Sequence, residues 1–156
     1  MKMRVDLIPE NVSYILNKLK LAGFKSYIVG GCVRDIFLGR QPHDWDICTS
    51  ATPHQVLDIF SNYNTIPTGL QHGTVTVVID HVGYEITTFR IDGNYSDNRR
   101  PDTVRFTEDI VEDLSRRDFT INAMAYNPIE GLIDPFGGFD DLSHKVIRCV
   151  GNAKDR

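Results

Sequence analysis

The chain has 156 residues, a length that fits one domain with a hydrophobic core of its own. Its composition, 41% hydrophobic and 24% charged residues, is typical of a globular protein and excludes a disordered or fibrous chain. The net charge of −4 argues against a domain that holds nucleic acid through its overall field, because neutralising phosphates requires a surplus of lysine and arginine.

Apolar spacing and turn residues predict alternating helices and strands. Gly23 and Gly39 are typical helix stops, and Thr52-Pro53 is typical of a capped helix start. In chain order, the predicted elements are helix 6–21, strand 26–29, helix 32–38, strand 44–48, helix 53–60, strands 73–79 and 84–90, helix 108–116 and strand 146–150. The polar stretch 91–106 predicts a mobile loop. Together these elements predict an α/β fold with a small, mixed, mostly antiparallel sheet flanked by helices.

The sequence indicates neither a membrane protein nor a disulfide-bonded one. No apolar run reaches the length of a membrane span, and residues 1–10 lack a signal-peptide pattern. Cys32, Cys48 and Cys149 are widely spaced among apolar residues, whereas a disulfide framework or a zinc site needs paired spacing. We therefore expect buried thiols in a cytoplasmic protein with no membrane partner.

Two aspartates, Asp44 and Asp46, lie on the predicted strand 44–48. Residues two apart on a strand share a face, so their carboxylates would lie side by side and repel each other unless a cation separates them. Mg²⁺ prefers oxygen ligands of this kind and keeps substrate phosphates as further ligands. Glu85 is the candidate third carboxylate of a two-metal site. The alternative for the aspartates is a solvated strand edge. For Glu85, the surrounding sequence fits a metal ligand and a solvent-facing residue of an edge strand about equally well.

Gly30-Gly31 separates the predicted strand 26–29 from the predicted helix 32–38. A strand that runs through glycines into a helix places backbone amides and a positive helix end where a triphosphate could lie. Arg34, one turn into the helix, adds a positive charge there. Two glycines alone indicate only a turn, and the order of strand, glycines, helix and paired aspartates makes the phosphate interpretation more specific.

Four segments resemble successive motifs of the class II tRNA nucleotidyltransferase and bacterial poly(A) polymerase family, which has a polymerase β-type head. They are YIVGGCVRD over 27–35, HDWDI over 43–47, YEITTFR over 84–90 and RRDFTINAMA over 116–125. The segments IDPFGG over 133–138 and VIR over 146–148 continue the match in the same order and spacing. Several motifs in register are far more specific than any one of them.

The resemblance implies a role for each motif residue. Asp44 and Asp46 would ligate the catalytic Mg²⁺ ions, with Glu85 as the third carboxylate. The implied nucleotide-binding residues are Gly30, Gly31, Arg34, Arg90, Arg116, Arg117, Asp118 and Asn122. Among them, Asp118 would accept a hydrogen bond from the ribose hydroxyl, and Asn122 would hold its segment in place. A sheet-support contact is the alternative for Arg90, and a basic helix end that complements the helix dipole is the alternative for the arginine pair.

The implied activity is template-independent addition of CMP and AMP, from CTP and ATP, to the 3′ end of tRNA, with release of pyrophosphate. We expect a catalytic head over 1–150 and, over 151–156, the start of a link to a neck domain that the chain lacks. Neck, body and tail domains would make most of the tRNA contacts. A poly(A) polymerase, an enzyme that adds only CC or only A, and a nucleotide-binding head without activity of its own are the alternatives.

Overall fold

The computed structural model describes residues 1–67, 69–92 and 104–151, and this part of the chain holds five α-helices and nine strands. The helices are α1 (Glu10–Leu21), α2 (Gly31–Phe37), α3 (Pro53–Ile59), α4 (Ile110–Ser115) and α5 (Gly138–Ser143). The strands are β1 (Ser26–Val29), β2 (Asp46–Thr49), β3 (Asn64–Ile66), β4 (Thr74–Ile79), β5 (Val82–Thr88), β6 (Arg90–Asp92), β7 (Val104–Phe106), β8 (Ala125–Asn127) and β9 (Gly131–Ile133). Short 3-10 helices cover Val5–Leu7, Leu70–His72 and Thr120–Asn122.

Seven of these strands form one sheet in the order β3-β4-β5-β2-β1-β8-β9. The central pair, β2 and β5, is parallel, and the other neighbouring pairs are antiparallel. β6 and β7 pair separately as an antiparallel ribbon. The predicted fold class, a mixed and mostly antiparallel sheet flanked by helices, is confirmed.

Each face of the sheet has its own apolar cluster, because neighbouring strand residues point to opposite faces. On one face α1, α2 and α3 pack against Ile28, Ile47 and Ile86, which belong to the larger cluster. On the other face α4 packs against Tyr27 and Cys48 in a smaller cluster. The smaller cluster covers the β1–β2 side of this second face and leaves room over β5 for a polar site.

The first predicted helix is divided in two by a proline. Residues Val5–Leu7 form a 3-10 turn, Ile8 is extended, and α1 begins only after Pro9. A residue before proline is driven towards extended backbone by contact with the proline ring, so a continuous helix over 6–21 could not form. The Thr52 cap is confirmed as a full capping box with Gln55.

The predicted strand over 146–150 is wrong. Only an isolated bridge between Phe119 and Cys149 is present there, and Val146 and Ile147 are 37% and 72% exposed. The ends of the predicted loop 91–106 belong to β6 and β7, and the rest of that loop lies outside the described residues.

The expectation of buried thiols is confirmed for Cys32 and Cys48 and not for Cys149. Cys32 and Cys48 are buried, Cys149 is half-buried, and none forms a disulfide. Burial raises the pKa of the Cys32 thiol to about 11, so this group is protonated at neutral pH. In the described ranges, no helix is long and apolar enough to cross a membrane.

Candidate active site

The parallel pairing of β2 with β5 brings the predicted carboxylates together. Asp46, the first residue of β2, lies opposite Glu85. Asp44 lies two residues before β2 rather than on it, and Trp45 between the two aspartates packs in the larger apolar cluster. All three carboxylates nevertheless line one cavity of about 380 Å³, which we call the acidic cavity.

The charge of Asp46 is not favoured by its surroundings. Partial burial in the cavity wall raises the pKa of the Asp46 carboxyl above its ordinary value of 3.8. The guanidinium of Arg117 acts in the opposite direction, and the negative charge of Asp44 adds to the rise of the pKa. A cation placed between Asp44 and Asp46 would relieve this repulsion.

The donor chemistry of the acidic cavity fits Mg²⁺ held jointly with a substrate. Carboxylate oxygens are the ligands that Mg²⁺ prefers, and the ion takes only one or two of them when phosphates and waters complete its shell. Within residues 1–67, 69–92 and 104–151, no group of three or more His, Cys, Asp or Glu side chains is placed to hold a metal ion by itself. The arrangement therefore fits a metal that arrives with a phosphate, and not a closed protein cage.

A second cavity of about 250 Å³, which we call the arginine cavity, lies beside the first. Asp46 and Glu85 line both cavities, so these two carboxylates form the boundary between them. Arg90, Arg116 and Arg117 line the arginine cavity. Guanidinium groups facing carboxylates across a cavity of this size could hold a polyphosphate between them, with a cation on the carboxylate side.

The glycine turn lies close to the arginine cavity. Gly30 has a φ of 82°, a left-handed conformation that favours glycine, and α2 begins at the next residue. A Cβ added at Gly30 would lie 3.5 Å from Nη1 of Arg117. The predicted sequence of strand, glycine turn and helix is confirmed, and the turn lies beside Arg117.

Arg34 is oriented from two sides. Its Nη1 donates to Oδ1 of Asn122 at 2.9 Å, and its Nη2 lies 3.1 Å from Oδ1 of Asp35. A Cβ at Gly31 would lie 3.3 Å from Nη2 of Arg34, so glycine leaves the space that this guanidinium needs. Asn122 thus fixes Arg34, a contact between positions far apart in the sequence. Neither Arg34 nor Asn122 lines the two cavities themselves.

The other two predicted ligands have different surroundings. Nη1 of Arg90 donates to the carbonyl oxygen of His72 at 2.7 Å, which supports the sheet while the side chain still lines the arginine cavity. Asp118 is exposed after the end of α4, and it lines neither cavity. The structure therefore does not bring Asp118 together with the three carboxylates.

Sequence reasoning missed Asp113, the only charged residue of the described arginine-cavity lining that it did not name. It is a buried residue of α4 that lines the arginine cavity and contacts Arg116 and Arg117. Its spacing of three and four residues from the two arginines was a usable signal, because residues three and four apart meet on one side of a helix. The hydroxyls of Thr74 and Thr87, 2.9 Å apart, were also missed as lining groups.

Comparison with known proteins gives consistent matches. The family model described as the Poly A polymerase head domain matches residues 26–148. A CCA-adding enzyme of Lactobacillus delbrueckii subsp. bulgaricus is 54% identical over 142 residues, which are 91% of this chain and 35% of that protein. These matches confirm the resemblance that the four motifs indicated.

Two solved structures are similar over nearly the whole chain. The Bacillus stearothermophilus CCA-adding enzyme in complex with CTP has a TM-score of 0.83 and 42% identity, covering 100% of this chain and 36% of that one. The Thermotoga maritima CCA-adding enzyme complexed with tRNA has a TM-score of 0.73 and 26% identity, covering 96% of this chain and 35% of that one. The chain spans little more than a third of the length of these relatives.

Proposed function

The chain belongs to the poly(A) polymerase head-domain family, and we propose that it is the catalytic head of a CCA-adding enzyme. Such an enzyme adds CMP and AMP, from CTP and ATP, to the 3′ end of tRNA without a template. The observation that supports the proposal most is the pairing of Asp46 with Glu85 across β2 and β5, at the boundary of the acidic and arginine cavities.

The three carboxylates would hold Mg²⁺. Asp44, Asp46 and Glu85 supply hard oxygen ligands, and the mutual repulsion of the two aspartates is relieved when a divalent ion lies between them. When bound, the metal supplies charge neutralisation at the reacting phosphate and lowers the pKa of the attacking hydroxyl. Asp46 and Glu85, at the boundary of the two cavities, would hold the metal next to the phosphates of the nucleotide.

The arginine cavity would hold the triphosphate. Arg116 and Arg117 present guanidinium groups that bind phosphate oxygens in pairs, and Arg90 lines the same cavity. Gly30 and Gly31 would let the nucleotide approach the backbone closely. This set of contacts keeps the leaving pyrophosphate in place while the 3′ hydroxyl of the RNA attacks from the side of the acidic cavity.

Three further residues complete the proposed nucleotide site. Arg34, held by Asn122, would add a phosphate contact at the start of α2. Asp118 would accept a hydrogen bond from the ribose hydroxyl, which a deoxyribose cannot donate at that position. Its exposed place outside both cavities requires the sugar to extend beyond the arginine pair, towards the C-terminal end of α4.

The domain organisation and partners follow from the same proposal. Residues 1–150 would form the head, and residues 151–156 would begin the link to a neck domain. Since the relatives are nearly three times as long, further domains would supply base selection and most tRNA contacts. The acidic net charge of −4 agrees with a head that does not hold tRNA by itself. We place this activity in the cytoplasm.

The test is CCA addition by the protein at its full natural length. We expect incorporation of CTP and ATP into tRNA that lacks its 3′ CCA, and we expect Asp46→Ala to lower it by about a thousandfold, since metal-held charge at the reaction centre is worth several kcal/mol. Asp58→Ala is the matched control, because Asp58 is an exposed aspartate of α3, on the opposite face of the sheet. Unchanged incorporation in Asp46→Ala would remove Asp46 from the metal site.

Sequencing of the tRNA 3′ ends separates the alternatives. A product ending in CCA supports the proposal, whereas a homopolymer of A indicates a poly(A) polymerase. Products that stop at CC, or that gain only the terminal A, indicate an enzyme with a restricted product. Nucleotide binding without any transfer would indicate a head that binds nucleotides but is inactive.

A further inference from the structure

A buried carboxylate lies beneath the arginine cavity. The side chain of Asp113, in α4, is 1% exposed and makes three contacts. Oδ1 lies 3.3 Å from Nη2 of Arg117, and Oδ2 lies 3.6 Å from Nη2 of Arg116. Oδ2 also accepts a hydrogen bond of 2.9 Å from the backbone N–H of Arg90. The guanidinium groups of Arg116 and Arg117 and the backbone N–H of Arg90 therefore meet at this one carboxylate.

These contacts compensate a charge that is costly to bury. An ionised carboxylate away from water is tolerated only when it is paired and hydrogen-bonded, and both oxygens of Asp113 meet that condition. The two arginines are themselves largely covered, with 17% and 21% of their side chains exposed. Arg116 and Arg117 thus lie in the arginine cavity with one end of each guanidinium turned to Asp113 and some surface open to solvent.

Arg117 is oriented by this pairing towards the glycine turn. Its Nη2 donates to Asp113, while its Nη1 lies beside Gly30, 3.5 Å from the place of an added Cβ. Within the described residues, Nε of Arg117 is buried and has no hydrogen-bond partner. Because Nε is enclosed, an anion in the cavity would bind at the part of this side chain that stays exposed, which is 21% of its surface.

We infer that Asp113 is a positioning residue that holds the guanidinium groups of Arg116 and Arg117 in the direction needed to bind a polyphosphate. The inference deepens the proposed function, on which it rests for the identity of the ligand as a nucleoside triphosphate. Asp113 lines the same cavity, but both of its oxygens are engaged by the two arginines and the backbone N–H of Arg90, so it would act through the arginines. Its negative charge keeps two positive groups close together, and they would otherwise repel each other before any phosphate arrives.

A purely structural role is the competing explanation for the burial of Asp113. In that case the carboxylate only joins α4 to the backbone of Arg90, and its loss lowers the stability of the fold without affecting the arginines selectively. The two explanations differ in whether the effects of changing Asp113 and Arg117 on ligand affinity depend on each other. A positioning residue acts through Arg117, so the effects of changing the two residues on ligand affinity are not additive.

The test measures binding of inorganic tripolyphosphate to this chain by calorimetry. Tripolyphosphate carries the charges of a nucleotide without base or sugar. We expect Asp113→Asn to weaken its binding by tenfold or more, because the amide retains the shape but loses the charge that fixes the guanidinium groups. The control is Glu112→Gln, which changes an exposed neighbour on the same helix whose carboxylate accepts a hydrogen bond from Thr107, and it is expected to change binding by less than twofold.

A double-mutant cycle with Arg117→Ala separates positioning from stability. We expect Arg117→Ala to weaken tripolyphosphate binding much less in the Asp113→Asn background than in the wild type. Equal effects in both backgrounds, or unchanged binding by Asp113→Asn, would overturn the inference. If Asp113→Asn does not fold, Asp113→Glu decides: it keeps the charge but displaces the guanidinium groups, so weakened binding supports the inference and wild-type binding overturns it.

Failure of the proposed function would be distinguishable from failure of the inference. Tripolyphosphate binding requires neither tRNA nor transfer, so a chain that adds no nucleotides can still show the Asp113 effect. At full natural length, we expect Asp113→Asn to raise the KM for CTP by a larger factor than it lowers kcat. An effect on kcat alone would contradict a role in holding the triphosphate.

Discussion

Gly138, the first residue of α5, is the position where a single methyl group should have the largest effect on the fold. An alanine Cβ there would overlap the backbone carbonyl of Thr120 and lie 3.0 Å from Cγ of Met124. The backbone of Gly138 is otherwise acceptable for any residue, because its φ is not positive. Helix propensity alone would therefore favour Gly138→Ala by up to about 1 kcal/mol.

The overlap reverses the sign of the expected effect. A carbonyl group of the backbone cannot move aside as a side chain can, so α5 would have to shift away from the 3-10 helix Thr120–Asn122. Overpacking of this kind costs about 1–3 kcal/mol, and the 2.6 Å hydrogen bond from Thr120 to Asp141 would add about 1 kcal/mol if it is lost. After the helix-propensity gain is subtracted, we expect Gly138→Ala to lower the free energy of unfolding by about 1–4 kcal/mol.

Urea denaturation of the chain measures this effect, with Gly131→Ala as the matched control. Gly131 has a φ of 76°, and among the described residues no atom lies within 4 Å of an added Cβ, so alanine there introduces only backbone strain of about 1–2 kcal/mol. The Gly138 variant should lose more stability than the Gly131 variant. It should also bind nucleotide more weakly, because α5 supports the 3-10 helix Thr120–Asn122, from which Asn122 orients Arg34. A Gly138→Ala protein at least as stable as the wild type would refute the close packing of α5.

Three further outcomes are expected. Asp46→Asn should stabilise the chain at neutral pH, because partial burial raises the pKa of Asp46 and the folded chain therefore binds that proton more tightly than the unfolded one. The free energy of unfolding of the wild type should fall below that of the variant as the pH rises from 3.8, and the difference should be absent in stronger acid. Equal urea midpoints of the two proteins at neutral pH would count against this. Asp118→Ala should reduce the preference for CTP over dCTP in calorimetry, and an undiminished preference would remove Asp118 from the ribose site. Thr52→Ala should cost about 1 kcal/mol through loss of the α3 capping box while leaving nucleotide binding unchanged, and a loss of binding would contradict the separation of the two sheet faces.

The parts of the fold that depend on local pattern could be predicted from sequence. The strands β1, β4 and β5 and the helices α2, α3 and α4 lie within two residues of their predicted limits. The strands β3, β8 and β9 have three residues each, which is too few for a periodic signal. They form by pairing with adjacent strands, and the sequence alone does not predict which strands are adjacent. The apolar run over 146–150 was misleading because, among the described residues, it makes only a single bridge, between Cys149 and Phe119, and joins neither edge of the sheet.

The candidate site depends on contacts that no local pattern contains. Asp46 and Glu85 were singled out as carboxylates, but the parallel pairing that places them opposite each other is a property of topology. The hydrogen bond from Arg34 to Asn122 likewise joins distant motifs. Asp113 could have been found from its spacing to Arg116 and Arg117, because its burial follows from facing the same side of α4 as Leu114 and Ile110 near the sheet.

The most direct test of the central claim is a calorimetric titration of this chain with CTP, with and without Mg²⁺, for the wild type and for Asp44→Ala. Asp44 is the carboxylate furthest from the arginine cavity, so its loss should affect the metal without disturbing the phosphate contacts. The account predicts that Mg²⁺ strengthens CTP binding to the wild type and has little effect on binding to the variant. An equal strengthening by Mg²⁺ in both proteins would contradict a carboxylate-held metal at this site.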